Sequence, residues 1–146
     1  MNIQSFCERR LQTHKLACEL LDKRKQVWAL HGQLASLQPY TAEQPLEPLV
    51  RQFCQEMIDY ISLEHFGIFL HLVNGDEHRC AVLALAEDIF PQMVETTDIA
   101  LDFNEKFDSI SPESLRLELP GGLMALTDAL ALRIELEDRL VEGMTA

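Results

Sequence analysis

The chain has 146 residues, 47% hydrophobic and 25% charged, which fits one folded domain around one core and excludes a disordered segment. Its longest uncharged apolar stretch, CAVLALA (Cys80–Ala86), falls far short of the ~18 residues a membrane-crossing helix needs. MNIQSFCERRL carries an early acid and no apolar core of a signal peptide, so no membrane contact and a cytoplasmic location are expected.

The net charge is −12 and uneven: residues 1–37 hold six Lys or Arg against three acids, whereas the rest hold six against 21. Such an acidic surface repels phosphate backbones, so direct nucleic-acid binding is not expected. It either attracts a basic protein or simply keeps the chain soluble.

In chain order, the first helix is expected from Ile3 to Leu37, with Leu11, Cys18, Leu21, Val27 or Trp28, and Leu34 at helical spacing. Gln38-Pro39-Tyr40-Thr41 ends it, and Thr41–Glu47 is a connector. A second helix runs from Leu46 to Val73, with Pro45 and Pro48 near its start and Asn74-Gly75-Asp76 as its stop. A third runs from Asp76 to Phe107, with a kink or split at Pro91 near Phe90. Asp108–Pro112 reads as a loop whose Ser111 caps a short helix, Pro112–Leu117. Pro120-Gly121-Gly122 reads as a break or turn, and a last helix spans Leu123–Glu142. No segment alternates with period two. The expected fold is all-α, a single domain over residues 1–146: an antiparallel up-down four-helix bundle with a short extra helix and a Pro-kinked third helix.

The second helix has more apolar surface than one core contact needs. On a wheel at about 100° per residue, Met57, Ile61, Cys54, Leu72, His65, Ile58, Ile68 and Phe69 share one arc of about 120°. A second arc holds Ser62, Gln55, Val73, Phe66, Asp59, Leu70 and Leu63, and the polar remainder is Glu56, Glu64, Gly67 and Tyr60. The second arc is either a contact with another helix of the bundle or a partner groove. In the latter, Phe66 anchors and Asp59 receives an Arg or Lys. His65 falls in the core arc and reads as a structural residue.

The four cysteines, Cys7, Cys18, Cys54 and Cys80, have no zinc or thioredoxin spacing and read as reduced core thiols. None of the five histidines has Glu three residues before it, so the di-iron bundle spacing is missing. A metal site would need ligands from separate helices, such as His65 with Asp59 or Glu137. Glu135, Glu137 and Asp138 read as a solvated face, as does Lys23-Arg24-Lys25. There is no nucleophile elbow and no P-loop, so no metal, cofactor or catalysis is expected.

FCQEMIDYISLEHFGIF (Phe53–Phe69) resembles the signature helix of the Rsd/AlgQ family, with Phe53, Cys54, Gln55, Asp59, Tyr60, Ser62, His65 and Phe66 matching. Ile89–Asp108 looks like that family's third-helix segment, and Arg133–Met144, with Leu136-Glu137-Asp138, is similar to its last helix. Lys15-Leu16 and Leu21-Asp22-x-Arg24 also fit. The chain departs at Cys18, where an acid is usual, at Leu20, where Trp is usual, and at Leu70, where Glu is usual. It is also shorter after Val73 and at its C-terminus. The resemblance implies a monomeric helical anti-sigma factor. Such a factor binds the primary sigma factor, chiefly its C-terminal promoter-recognition domain, keeps it from core RNA polymerase and favours alternative sigma factors. The expected partner face is built on Asp59, Ser62 and Phe66, with Leu70, a departure from the family pattern, making it more apolar and His65 beside it. The rival readings are a metal- or ligand-binding bundle and an adaptor for another regulator.

Overall fold

The computed structural model describes residues 3–72 and 79–145, with side chains from Leu11 onward. It contains helix α1 (Ile3–Ser36), helix α2 (Leu46–Ser62) continued by a π-helical segment (Leu63–Phe69), helix α3 (Cys80–Asp108) and helix α4 (Pro112–Thr145). Among the described residues there is no strand. The expected stop at Asn74-Gly75-Asp76 lies outside the described residues.

The helices form a ring in which α1 packs on α2, α2 on α3, α3 on α4 and α4 on α1. Cross-helix pairs show that neighbours run antiparallel. Lys23 of α1 meets Glu56, whereas the later His31 meets the earlier Phe53. Arg24 meets Asp138 of α4, and His31 meets Thr127. On α3 and α4, Lys106 pairs with Glu118, Arg133 bonds Thr97, and Arg139 reaches Asp88. Short links between long helices leave little choice but this up-down path.

Leu20, Leu34, Phe53, Met57, Ile68, Ile89, Leu119, Leu126 and Leu140 are among the fully buried side chains of the single apolar cluster between the helices. Each stabilises the fold by about 1.5–3 kcal/mol before entropy is charged against it. The α1 stripe differs from the one expected. Leu11 and Cys18 face solvent, and Leu16, Ala17, Leu20, Val27, Leu30 and Leu34 face the core. Cys80 is exposed as well, so of the described thiols only Cys54 is a core thiol; burial pushes its pKa up to about 12.

At the end of α1, the Tyr40 hydroxyl donates to the Leu34 carbonyl at 2.9 Å, and the Gln44 amide donates to the Leu37 carbonyl at 2.8 Å. These side chains satisfy carbonyls that the helix end would orphan. At the start of α4, the Ser114 N–H donates to Ser111 Oγ at 3.3 Å, the cap the sequence predicts.

Neither proline divides its helix. The third helix begins at Cys80, with Arg79 extended, and runs unbroken through Pro91 to Asp108. The expected short helix, Pro112–Leu117, has no separate existence, because α4 continues through Pro120-Gly121-Gly122 to Thr145. A proline removes one N–H from the ladder, and packing of α3 against α2 and α4, and of α4 against α1 and α3, offsets that local cost. Gly122 serves close approach rather than a turn: a Cβ there would lie 2.7 and 2.8 Å from the Phe107 ring.

Candidate functional site

The run from α2 through the π segment presents two unlike faces. Its inward face carries Phe53, Met57 and Ile68, and between them Tyr60 and Glu64, both buried. An ideal wheel already places Tyr60 and Glu64 among those residues; their polarity alone assigned them to water. Buried polar groups need partners, and α4 supplies them. Arg133 Nη2 and Nε donate to Glu64 Oε2 at 3.0 and 3.2 Å, and Nε lies 3.2 Å from Glu137 Oε2 one turn along α4. Arg133 Nη1 donates to Thr97 Oγ1 at 2.9 Å and to Thr96 Oγ1 at 3.1 Å on α3. The Tyr60 hydroxyl donates to Glu137. From α1, Arg24 Nη1 reaches Asp138 Oδ1 at 2.8 Å and Glu137 Oε1 at 3.6 Å. One polar strip thus crosses all four helices. Glu137 and Arg24, expected on solvated faces, belong to it, and Lys23 pairs with Glu56 at 3.4 Å.

The strip is short of positive charge. Burial first, then the Glu137 carboxylate, holds the Glu64 carboxyl well above its ordinary 4.5. Glu64 Oε1 is buried without a hydrogen-bond partner, and a proton on it gives that oxygen a donor toward Glu137. Burial opposes the Arg133 charge, and Glu64 and Glu137 outweigh it, so its pKa is raised. Burial also raises that of the Tyr60 phenol.

The outward face carries the expected partner residues. Phe66 is 65% exposed, which settles that the second arc is not wholly buried against another helix. His65 is exposed, correcting its placement in the core arc, and its ring meets Phe66 edge-on at 4.9 Å. Ser62, His65 and Phe66 line one groove of about 310 Å³, together with Phe69, Phe90, Val94 and Leu101. Its floor includes Arg133 and Thr97, so the polar strip underlies the groove. Asp59, also exposed, lines a separate hollow of about 270 Å³ with Arg51, Gln55, Asn104 and Asp108. Leu70 is exposed but is not part of the groove wall.

The π-helical segment spans Leu63–Phe69, and within it Glu64 faces inward and His65 and Phe66 face outward. Gly67 lies within it. A Cβ there would come within 3.2 Å of Leu63 and 3.5 Å of Leu16, so glycine lets the segment sit close to α1.

The family model described as the regulator of the RNA polymerase sigma(70) subunit, Rsd/AlgQ, matches residues 1–145. The chain belongs to the Rsd/AlgQ family. A relative from Escherichia coli O127:H6 named "Regulator of sigma D" is 28% identical over 145 residues, covering 95% of this chain and 89% of its own. Relatives of the same name from Salmonella paratyphi A and Enterobacter sp. are 27% and 28% identical over 142 residues, covering 95% of this chain and 87% and 86% of theirs. No solved structure matches the chain. Among the described residues no helix is long and apolar enough to cross a membrane, and no three His, Cys, Asp or Glu side chains converge as a metal site.

Sequence reasoning missed the α3 wall of the groove. Phe90, Val94, Thr97 and Leu101 stand at i, i+4, i+7 and i+11, a helical stripe visible in the sequence. Read alone, that stripe counts as core. Phe90, Val94 and Leu101 are in fact 40%, 41% and 45% exposed.

Proposed function

We propose that this chain is an anti-sigma factor that binds and sequesters the primary sigma factor, mainly through sigma's C-terminal promoter-recognition domain. Binding lowers the association of sigma with core RNA polymerase and favours alternative sigma factors. The protein acts by stoichiometric capture as a monomer, without catalysis, a cofactor or direct contact with nucleic acid. Family membership supports this reading, as do relatives named regulators of sigma D.

The observation that carries it is Phe66, a large aromatic ring 65% exposed on the face that also bears Asp59 and Ser62. An exposed ring on a helix rimmed by acids suits a basic, apolar-anchored partner. A domain that reads promoter DNA is basic, and the acidic surface steers it. Asp59 pairs with an Arg or Lys of sigma, Phe66 packs into an apolar patch, and Ser62 lets the partner approach.

Titration calorimetry against the isolated C-terminal domain of the organism's own primary sigma factor, at two salt concentrations, tests the reading. A one-to-one complex that weakens with salt is expected. No complex at micromolar concentration would overturn it in favour of a different regulatory partner.

A further inference from the structure

The groove and the hollow lie end to end along one seam. Passing along α2 from Glu47 to Asp59 and on to Phe69, the α3 residues facing it run backward from Asp108 and Asn104 to Leu101, Val94 and Phe90. The seam is therefore apolar at one end and polar at the other. The α3 stripe from Phe90 to Leu101 rises about 16 Å, which is three turns of helix. Phe90 rests edge-on against the buried Phe69, with ring centroids 5.4 Å apart, so its ring is held in the wall while part of it faces out.

The charge around the seam is mostly negative, with Arg51 in the hollow as a base among Glu47, Asp59 and Asp108. Between Cys80 and Asp108, α3 carries seven acids and a single base, Lys106, which pairs with Glu118 at 3.4 Å. On the helix wheel Glu87, Asp98 and Glu105 stand immediately outside the Phe90, Val94 and Leu101 stripe, and all three are exposed. Asp59 stands on the α2 side. The one arginine on the groove floor, Arg133, is already held by Glu64, Glu137, Thr96 and Thr97, so it offers no charge to an acidic occupant.

We propose that α3 supplies the second wall of the docking site. Phe90, Val94 and Leu101, opposite Phe66, receive the apolar stripe of one amphipathic partner helix. Its Lys and Arg side chains reach Asp98 and Glu87 at the rim and Asp59 and Asp108 in the hollow. This deepens the sigma reading and rests on it: the occupant is a basic amphipathic helix of the sigma C-terminal domain. In helix-in-groove docking the inserted helix carries apolar anchors at helical spacing, and the wall meets them with Phe90, Val94 and Leu101 at i, i+4 and i+11.

The test titrates the full chain with the isolated sigma C-terminal domain, comparing wild type with a Val94→Ser and Leu101→Ser double variant and with Asp98→Lys. Both sets alter exposed positions. The double variant is expected to raise Kd roughly tenfold or more with Tm unchanged, and Asp98→Lys to slow association and flatten the salt dependence. In wild-type protein, amide NMR shifts on titration are expected over residues 90–101 as well as on α2, and this readout decides the matter if the double variant does not fold. If wild type binds sigma, the double variant binds equally and the shifts are confined to α2, then α3 is no wall, and the sigma reading survives. If wild type binds no sigma domain, the sigma reading falls and this proposal falls with it.

Discussion

The inward and outward faces of the α2–π run invert the usual order of a helix. Inside, among Phe53, Met57 and Ile68, lie the Glu64 carboxyl and the Tyr60 phenol, which meet the Arg133 guanidinium of α4; outside lie Phe66 and Leu70. Each inversion has a different cause. The inside groups persist because they satisfy one another across four helices, so removing one leaves the others buried without a partner. The outside groups satisfy nothing in the chain itself. A buried polar group with partners reports on how the fold is fixed, whereas an exposed apolar group without them reports on what the fold is for.

The sharpest way to break the comparison is to cut the inner strip. Arg133→Ala leaves Glu137 without its guanidinium and should cost about 3–5 kcal/mol of stability, read by urea unfolding. A loss below about 1 kcal/mol would mean the strip is solvated. On the outer face, Phe66→Ala should cost the sigma complex about 2 kcal/mol by calorimetry while shifting stability by no more than about 0.5 kcal/mol. A variant that binds as wild type does would remove the anchor.

Glu64→Gln tests the proton. The folded state holds the Glu64 proton more tightly than the unfolded chain, so its contribution is fully present below pH 4.5 and is lost as pH rises through the raised folded pKa. The glutamine variant cannot lose that proton, and its stability should fall less with rising pH. Parallel pH profiles for the two proteins would show that folding does not raise the Glu64 pKa. The smallest effect belongs to Asp59→Asn. It should weaken the sigma complex by about 0.2–1 kcal/mol, the scale of an exposed ion pair, and the difference should shrink at high salt.

The all-α bundle, the Ser111 cap and the exposed Asp59 and Phe66, with Ser62 half-buried between them, were legible from periodicity, turn residues and the family motif. A split at Pro91 and a break at Pro120 do not occur, because local propensity names a cost and the packing of long antiparallel helices decides whether it is met. His65, Tyr60 and Glu64 misled in the other direction. The wheel placed the last two correctly, and residue type then overruled it.

The sequence by itself determined the long helices and the acidic balance, because each depends on composition and on residues near one another along the chain. Only the tertiary structure decided which polar groups go inside and which apolar ones stay out. Arg133 is 69 residues from Glu64, and Phe90 stands on a different helix from Phe66. Burial is a property of what lies opposite a residue, and that is set only when four helices close on one another.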